Sequence, residues 1–141
     1  MGVRPLSGET SEQLMRVSTA TICTALFKVG LKNQFIQDVR PVSAKPENMV
    51  GQAYTLRYIP AREDLNPITV FQDPSHPQRV GVEEIPPGNV MVIDSRKNPG
   101  AASAGSILVT RMMKRGVAGV VTDGGFRDAP EIGQLEIHCY H

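Results

Sequence analysis

The sequence predicts an α/β fold built on a parallel β-α-β unit, and three observations carry that expectation. Val90-Met91-Val92-Ile93 is a short, wholly apolar run closed by Asp94, and Val117-Ala118-Gly119-Val120-Val121 is a second. Short runs without alternation mark strands buried on both faces. Between them, Ile107 to Lys114 sets Leu108 and Met112 at i and i+4, with Val109 and Met113 alongside, which is the spacing of an amphipathic helix. Two apolar strands joined through a helix pair in parallel with a right-handed crossover.

The other elements come in chain order. Met1 to Gly8 reads as a loose arm. Thr10 and Gln13 have capping-box spacing for a first helix over Ser11 to Val17. Ser18 or Thr19 caps a second helix with an apolar face of Ile22, Leu26 and Val29, stopped by Gly30. Cys23 lies beside that face and reads as a small buried thiol, because no basic or histidine neighbour is there to activate it. Lys32 to Asn48 is irregular. Val50 to Ile59 alternates, with Tyr54, Leu56 and Tyr58 on one face, and Pro60 ends it. Prolines through Ala61 to Pro87 exclude long helices; Ile68 to Phe71 is a candidate strand, and His76 reads as a solvated loop residue. Ser95 to Ala104 is a loop of small and turn-forming residues. Arg111, Lys114 and Arg115 complement the dipole at the end of the central helix, and Gly116 is its left-handed terminator. Alternation in Leu135 to Tyr140 predicts a strand that sends His138 and Cys139 to opposite faces, against a metal cluster with His141.

Length and composition narrow the function classes. A chain of 141 residues is one domain by the usual prior. A net charge of +1 gives no clustered basic footprint for nucleic acid, and the absence of Trp argues against a base-stacking surface. No apolar run is long enough for a membrane span, and Met1 to Ser18 lacks the pattern of a signal peptide. The expectation is a cytoplasmic protein, with Cys23 and Cys139 as reduced thiols.

Ligands of open parallel sheets bind at the carboxyl ends of the strands. Two loops leave such ends here, Asp94 to Ala104 and Thr122 to Asp128. The first delivers the N-terminus of the central helix, whose free amides and positive dipole end make an anion site, with Gly105 allowing close approach. The second delivers Arg127, suited to two-pronged binding of a carboxylate, and Asp128, able to hold Mg2+ through water. An α-oxo acid fits that set. Two structural readings compete: Arg127 and Asp128 as a surface ion pair, or Asp128 as cap of a short helix over Ala129 to Gly133, with Glu131 completing a capping box. Asp94 and Asp123 are either acidic assistants or strand-end turn residues.

The segment AGSILVTRMMKRGVAGVVTDGGFRDAPEI resembles the superfamily of RraA and the class II 4-hydroxy-4-methyl-2-oxoglutarate/4-carboxy-4-hydroxy-2-oxoadipate aldolases. The family hallmark is a glycine well before an Arg-Asp pair, which an acidic residue follows closely; Gly105, Arg127, Asp128 and Glu131 match it. STATICTAL, GQAYTLR and PPGNVMVID extend the resemblance over most of the chain. It implies a β/β/α swivelling-type sandwich assembled as a homotrimer or hexamer. It also implies a lyase that cleaves 4-hydroxy-2-oxo acids to pyruvate by a retro-aldol reaction, with oxaloacetate decarboxylation through the same enolate. On this carry-over Arg127 binds and polarises the oxo acid, Asp128 holds Mg2+ or Mn2+ through water, and the metal stabilises the pyruvate enolate. Gly105, Ser106, Ile107 and Leu108 grip the carboxylate. The alternative is a non-catalytic protein of the RraA type that regulates a ribonuclease. Ser106 departs from the pattern, standing where many members have an acidic residue. Members also continue beyond the position of His141, so residues 1–141 are expected to be a single domain lacking its C-terminal part.

Overall fold

The computed structural model describes residues 4–62, 64–100 and 102–141. Met1 to Val3, the start of the expected loose arm, lie outside the described residues. The architecture is mixed α/β. Four parallel strands form the main sheet in the order β1-β2-β4-β6: β1 is Ala53–Arg57, β2 Val90–Asp94, β4 Gly119–Thr122 and β6 His138–Tyr140. A second, two-stranded parallel sheet pairs β3 (Ala102–Ala104) with β5 (Gly125–Phe126). The predicted Ser95 to Ala104 loop thus ends in a strand, because Gly125 and Phe126 offer it a partner that no local signal reveals.

The central unit forms as its residues dictate. Every residue of β4 is buried, and Val90, Met91 and Ile93 of β2 are buried beside it. Helix α4 (Ser106–Lys114) turns Val109 and Met112 inward. Gly116 comes next at φ 79°, a conformation that a side chain would strain. The core joins these residues to Val82 and Ile85 from α3 (Pro77–Glu84) and its C-terminal boundary, and to Ile132 from α5 (Ala129–Gly133). Arg111 of α4 clamps Glu83 of α3 in a two-pronged pair at 2.9 and 2.7 Å. Strand β1 shows the expected alternation, with Tyr54, Leu56 and Tyr58 packed on the core and Ala53, Thr55 and Arg57 exposed.

Three expectations are corrected. Helix α1 spans Gly8–Met15 rather than Ser11 to Val17, because Ser7, not Thr10, is the cap: its Oγ accepts the Thr10 amide at 3.1 Å. Ile68–Gln72 is a 3₁₀ turn, not a strand. The β-branched residues there join no sheet among the described residues. The second helix, α2 (Thr19–Lys28), has its Ser18 cap and the Gly30 stop at φ 87°. It buries none of its residues, however: Val29 is 72% exposed, and Ile22, Cys23 and Leu26 are only half-buried. The described residues offer no surface that closes over that face. No helix among the described residues is long and apolar enough to cross a membrane.

This packing yields two testable outcomes. Met112 is 1% exposed, and Met112→Ala should cost about 2–5 kcal/mol in urea unfolding. Burial pushes the Cys139 thiol up to about 12, from an ordinary value of 9.0. The fold therefore holds the neutral thiol while the unfolded chain ionises first. Stability is full below pH 9 and falls as pH rises from about 9 to about 12. Unfolding curves across that range should show the decline, and Cys139→Ala should lose the part owed to this thiol.

Candidate active site

Ile93 lies opposite Thr122 in the β2–β4 register, so the loops that leave these strands start side by side. Asp123 joins them by accepting the backbone amides of Ser95 and Lys97. Asp94 accepts the Arg96 amide at 3.0 Å and Arg57 Nε at 2.8 Å. Those two partners, the amide first, hold its carboxyl below the usual range. Both carboxylates are engaged by loop and strand, as the turn reading expects, and neither bonds to Arg127 or Asp128.

The second loop crosses to α4. The Arg127 amide donates to the Ala104 carbonyl at 3.0 Å, which brings the next residue onto the start of the helix. Asp128 then turns into the left-handed region, φ 59° and ψ 35°. Its Oδ2 accepts the Ser106 amide at 3.1 Å and the Ser106 hydroxyl at 3.2 Å. An anion at a helix N-terminus is favoured by the free amides and the dipole together. Asp128 is thus a side-chain cap for α4, not for α5, where only its backbone carbonyl accepts the Ile132 amide at 2.9 Å. The capping box with Glu131 does not form, and Arg127 makes no ion pair with Asp128 among the described residues. Glu131 is exposed and bonds to neither.

Gly105 leaves the room in which the Asp128 carboxylate sits. A Cβ there would lie 3.1 Å from Asp128 Oδ2 and 3.8 Å from both Nε and Nη2 of Arg127. Its own backbone is extended, φ −121°, so room rather than backbone freedom calls for glycine. The sequence-predicted residues Gly105, Ser106, Arg127 and Asp128 therefore meet at one point. Ile107 and Leu108 lie on the first turn, and their amides find no acceptor among the described residues, as first-turn geometry dictates. These residues open onto a groove of about 630 Å³, whose far wall includes Phe71, Gln78 and Arg79. That size suits a small ligand.

The sequence places a divalent cation at Asp128. The described residues hold no group of three or more His, Cys, Asp or Glu able to enclose a metal. Asp128 offers one carboxylate whose Oδ2 is shared with Ser106 while Oδ1 has no partner among the described residues. This donor set fits a hydrated Mg2+ or Mn2+ that keeps most of its waters, and it does not fit a closed, dehydrated site.

The far wall comes from Ala61 to Pro86, a stretch the sequence offers for specificity groups without naming residues. Helix α3 lies in the proline-rich stretch, where Pro77 at the first helical position is the available signal. His76, expected in solvent, is half-buried against Phe71 at 5.0 Å between ring centres. At the C-terminal strand, Cys139 is buried and His138 lies on the opposite, half-buried side. His141 Nδ1 accepts the Phe126 amide at 3.3 Å and its ring stacks on that residue.

A family model described as RraA-like, Aldolase/RraA, matches residues 19–141. Streptomyces coelicolor RraAS2, described as an unusual member of the RNase ES inhibitor RraA protein family, is 30% identical, with a TM-score of 0.77 over 99% of this chain and 64% of that one. A Pseudomonas syringae pv. tomato protein is 18% identical with a TM-score of 0.75, over 99% of this chain and 58% of that one. The RNA-processing inhibitor RraA from Thermus thermophilis is 20% identical with a TM-score of 0.61, over 89% of this chain and 66% of that one. The last two likenesses speak for the fold alone. The chain spans less than two thirds of the length of these structures.

Gly105→Ala tests the meeting point. The new methyl should push Asp128 off the Ser106 amide and cost about 1 kcal/mol, the usual value of a lost cap. Thermal unfolding should register the loss, and exchange of the Ser106 amide should quicken.

Proposed function

The chain belongs to the RraA-like family, and from its site we propose a divalent-metal-dependent aldolase that cleaves 4-hydroxy-2-oxo acids to pyruvate, with oxaloacetate decarboxylation as a side activity. The observation that carries this reading is the convergence of Arg127 and Asp128 on Gly105 at the open N-terminus of α4. A surface pair or a plain cap has no use for a guanidinium near a glycine beside free amides.

The substrate carboxylate lies against the Ile107 and Leu108 amides, since Asp128 already takes that of Ser106. Arg127 binds the same end of the molecule and faces its 2-oxo group. As the bond between C3 and C4 breaks, the 4-hydroxyl gives its proton to water in the groove and becomes a carbonyl. The bonding pair forms the C2–C3 double bond of the pyruvate enolate, and a proton from water at C3 then completes pyruvate. The guanidinium and the helix terminus favour the charge that develops on the oxo oxygen. A bound Mg2+ or Mn2+, held by Asp128 through water, supplies Lewis-acid polarisation of the same oxo group. The apolar side chains of Phe71 and Leu108 line the groove.

A second reading has one observation of its own: the 30%-identical RraAS2 is described within an RNase inhibitor family. On that reading the chain is a binding protein that regulates a ribonuclease. The two separate cleanly. The aldolase predicts pyruvate release above the uncatalysed rate with Mg2+ or Mn2+, and a drop in kcat/KM of about 100-fold or more in Arg127→Ala and in Asp128→Ala. Absence of release with oxaloacetate and with every 4-hydroxy-2-oxo acid tried sinks it. Ribonuclease binding that survives both substitutions selects the second reading.

A further inference from the structure

Beneath the site lies a buried knot of hydroxyls. Ser103 and Thr122 are 0% exposed and Ser95 is 5% exposed. Ser103 Oγ is 2.7 Å from Ser95 Oγ and 2.6 Å from Thr122 Oγ1, and Ser95 Oγ is 3.2 Å from Thr122 Oγ1. Thr122 Oγ1 also accepts the Gly124 amide at 3.0 Å. Gly124 is pressed onto the knot: a Cβ there would lie 2.7 Å from Ser95 Cβ and 2.8 Å from Ser103 Oγ. The Ser103 carbonyl is held from the other side by Tyr58 Oη at 2.6 Å and Gln78 Nε2 at 2.9 Å.

Three hydroxyls in an apolar core are an expensive way to fill space, since each must keep a partner. The short strands beside them supply the reason. β5 has only two residues and β3 three, and they pair irregularly. So short a two-stranded pairing does not hold its own register. A slip of one residue would carry Arg127 about 3.3 Å along and turn it to the opposite face.

We infer that Ser95, Ser103 and Thr122 are positioning residues: by fixing the Gly124 amide they set the β3–β5 register and so hold Arg127 and Asp128 over Gly105. The inference takes from the proposed function only that Arg127 and Asp128 are the working pair.

Thr122→Val keeps shape and removes the acceptor, whereas Thr122→Ser keeps the hydroxyl. In hydrogen exchange, Thr122→Val should speed the Gly124 and Arg127 amides about tenfold or more, leaving Met91 and Val120 near wild type. Thr122→Ser should stay within about threefold of wild type at all four. Catalysis should change in parallel, with kcat lowered by the valine and restored by the serine. Unchanged loop exchange in Thr122→Val, or acceleration spread evenly over the core, overturns the inference. Should the valine variant not fold, Ser103→Ala carries the same comparison against the same outcomes. Exchange needs no substrate, so a wild-type chain that releases no pyruvate would remove the functional reading and leave the exchange result standing.

Discussion

The bond from the Ser106 amide to Asp128 is the contact on which the site depends. It joins the start of α4 to a residue beyond β4 and β5, and so ties the two strand-end loops into one object. Asp128 makes it from φ 59°, which costs most L-residues about 1–2 kcal/mol and is tolerated best by Asn, Asp and Gly. The helix terminus offsets that conformation by stabilising the carboxylate. Gly105 is the counterpart, because a Cβ there would crowd the carboxylate at 3.1 Å.

Charge around this contact is divided by task. Asp94 and Asp123 are neutralised by backbone amides and by Arg57, and they shape loops. Arg111 and Glu83 neutralise one another and bind α3 to α4. Arg127 is left out of every such pair among the described residues, as is one oxygen of Asp128. Arg79 on the far wall is likewise in no ion pair among the described residues, its Nη1 donating to the Phe71 carbonyl at 2.8 Å, so the groove carries two cations without carboxylate partners and one half-committed carboxylate.

How much of this is legible in the sequence depends on distance along the chain. β2, α4 and β4 are readable because burial on both faces and helical period are local signals, and Gly116 marks the stop between them. Gly105, Arg127 and Asp128 are readable as strand-end and helix-start residues. The partner of Asp128 is not, since it lies 22 positions away. For the same reason the residue passes for a cap of the adjacent α5. Ile68 to Gln72 misleads because Ile, Thr, Val and Phe favour strands, yet no described strand edge lies within their reach. Helix α3 is masked by prolines, although Pro77 starts it. β3 and the hydroxyls below it have no local signature: small polar residues look alike in a loop and in a core. The apolar face of α2 is legible as a pattern but not as burial, because a pattern does not say what covers it.

The parallel sheet also sets an order of assembly. Each neighbouring pair of strands closes a loop, and the loops differ in length: Ala53 pairs with Val90, Val90 with Gly119, and Gly119 with His138. Closure entropy rises with loop length, so the β4–β6 pair, with α5 between, closes at the lowest entropic cost and the β1–β2 pair at the highest. Assembly thus favours growth from the β4–β6 end toward β1. A ribosome releases the chain in the opposite sense: β1 and β2 emerge first, and the apolar β2 waits for the segment on which the sheet is most easily nucleated.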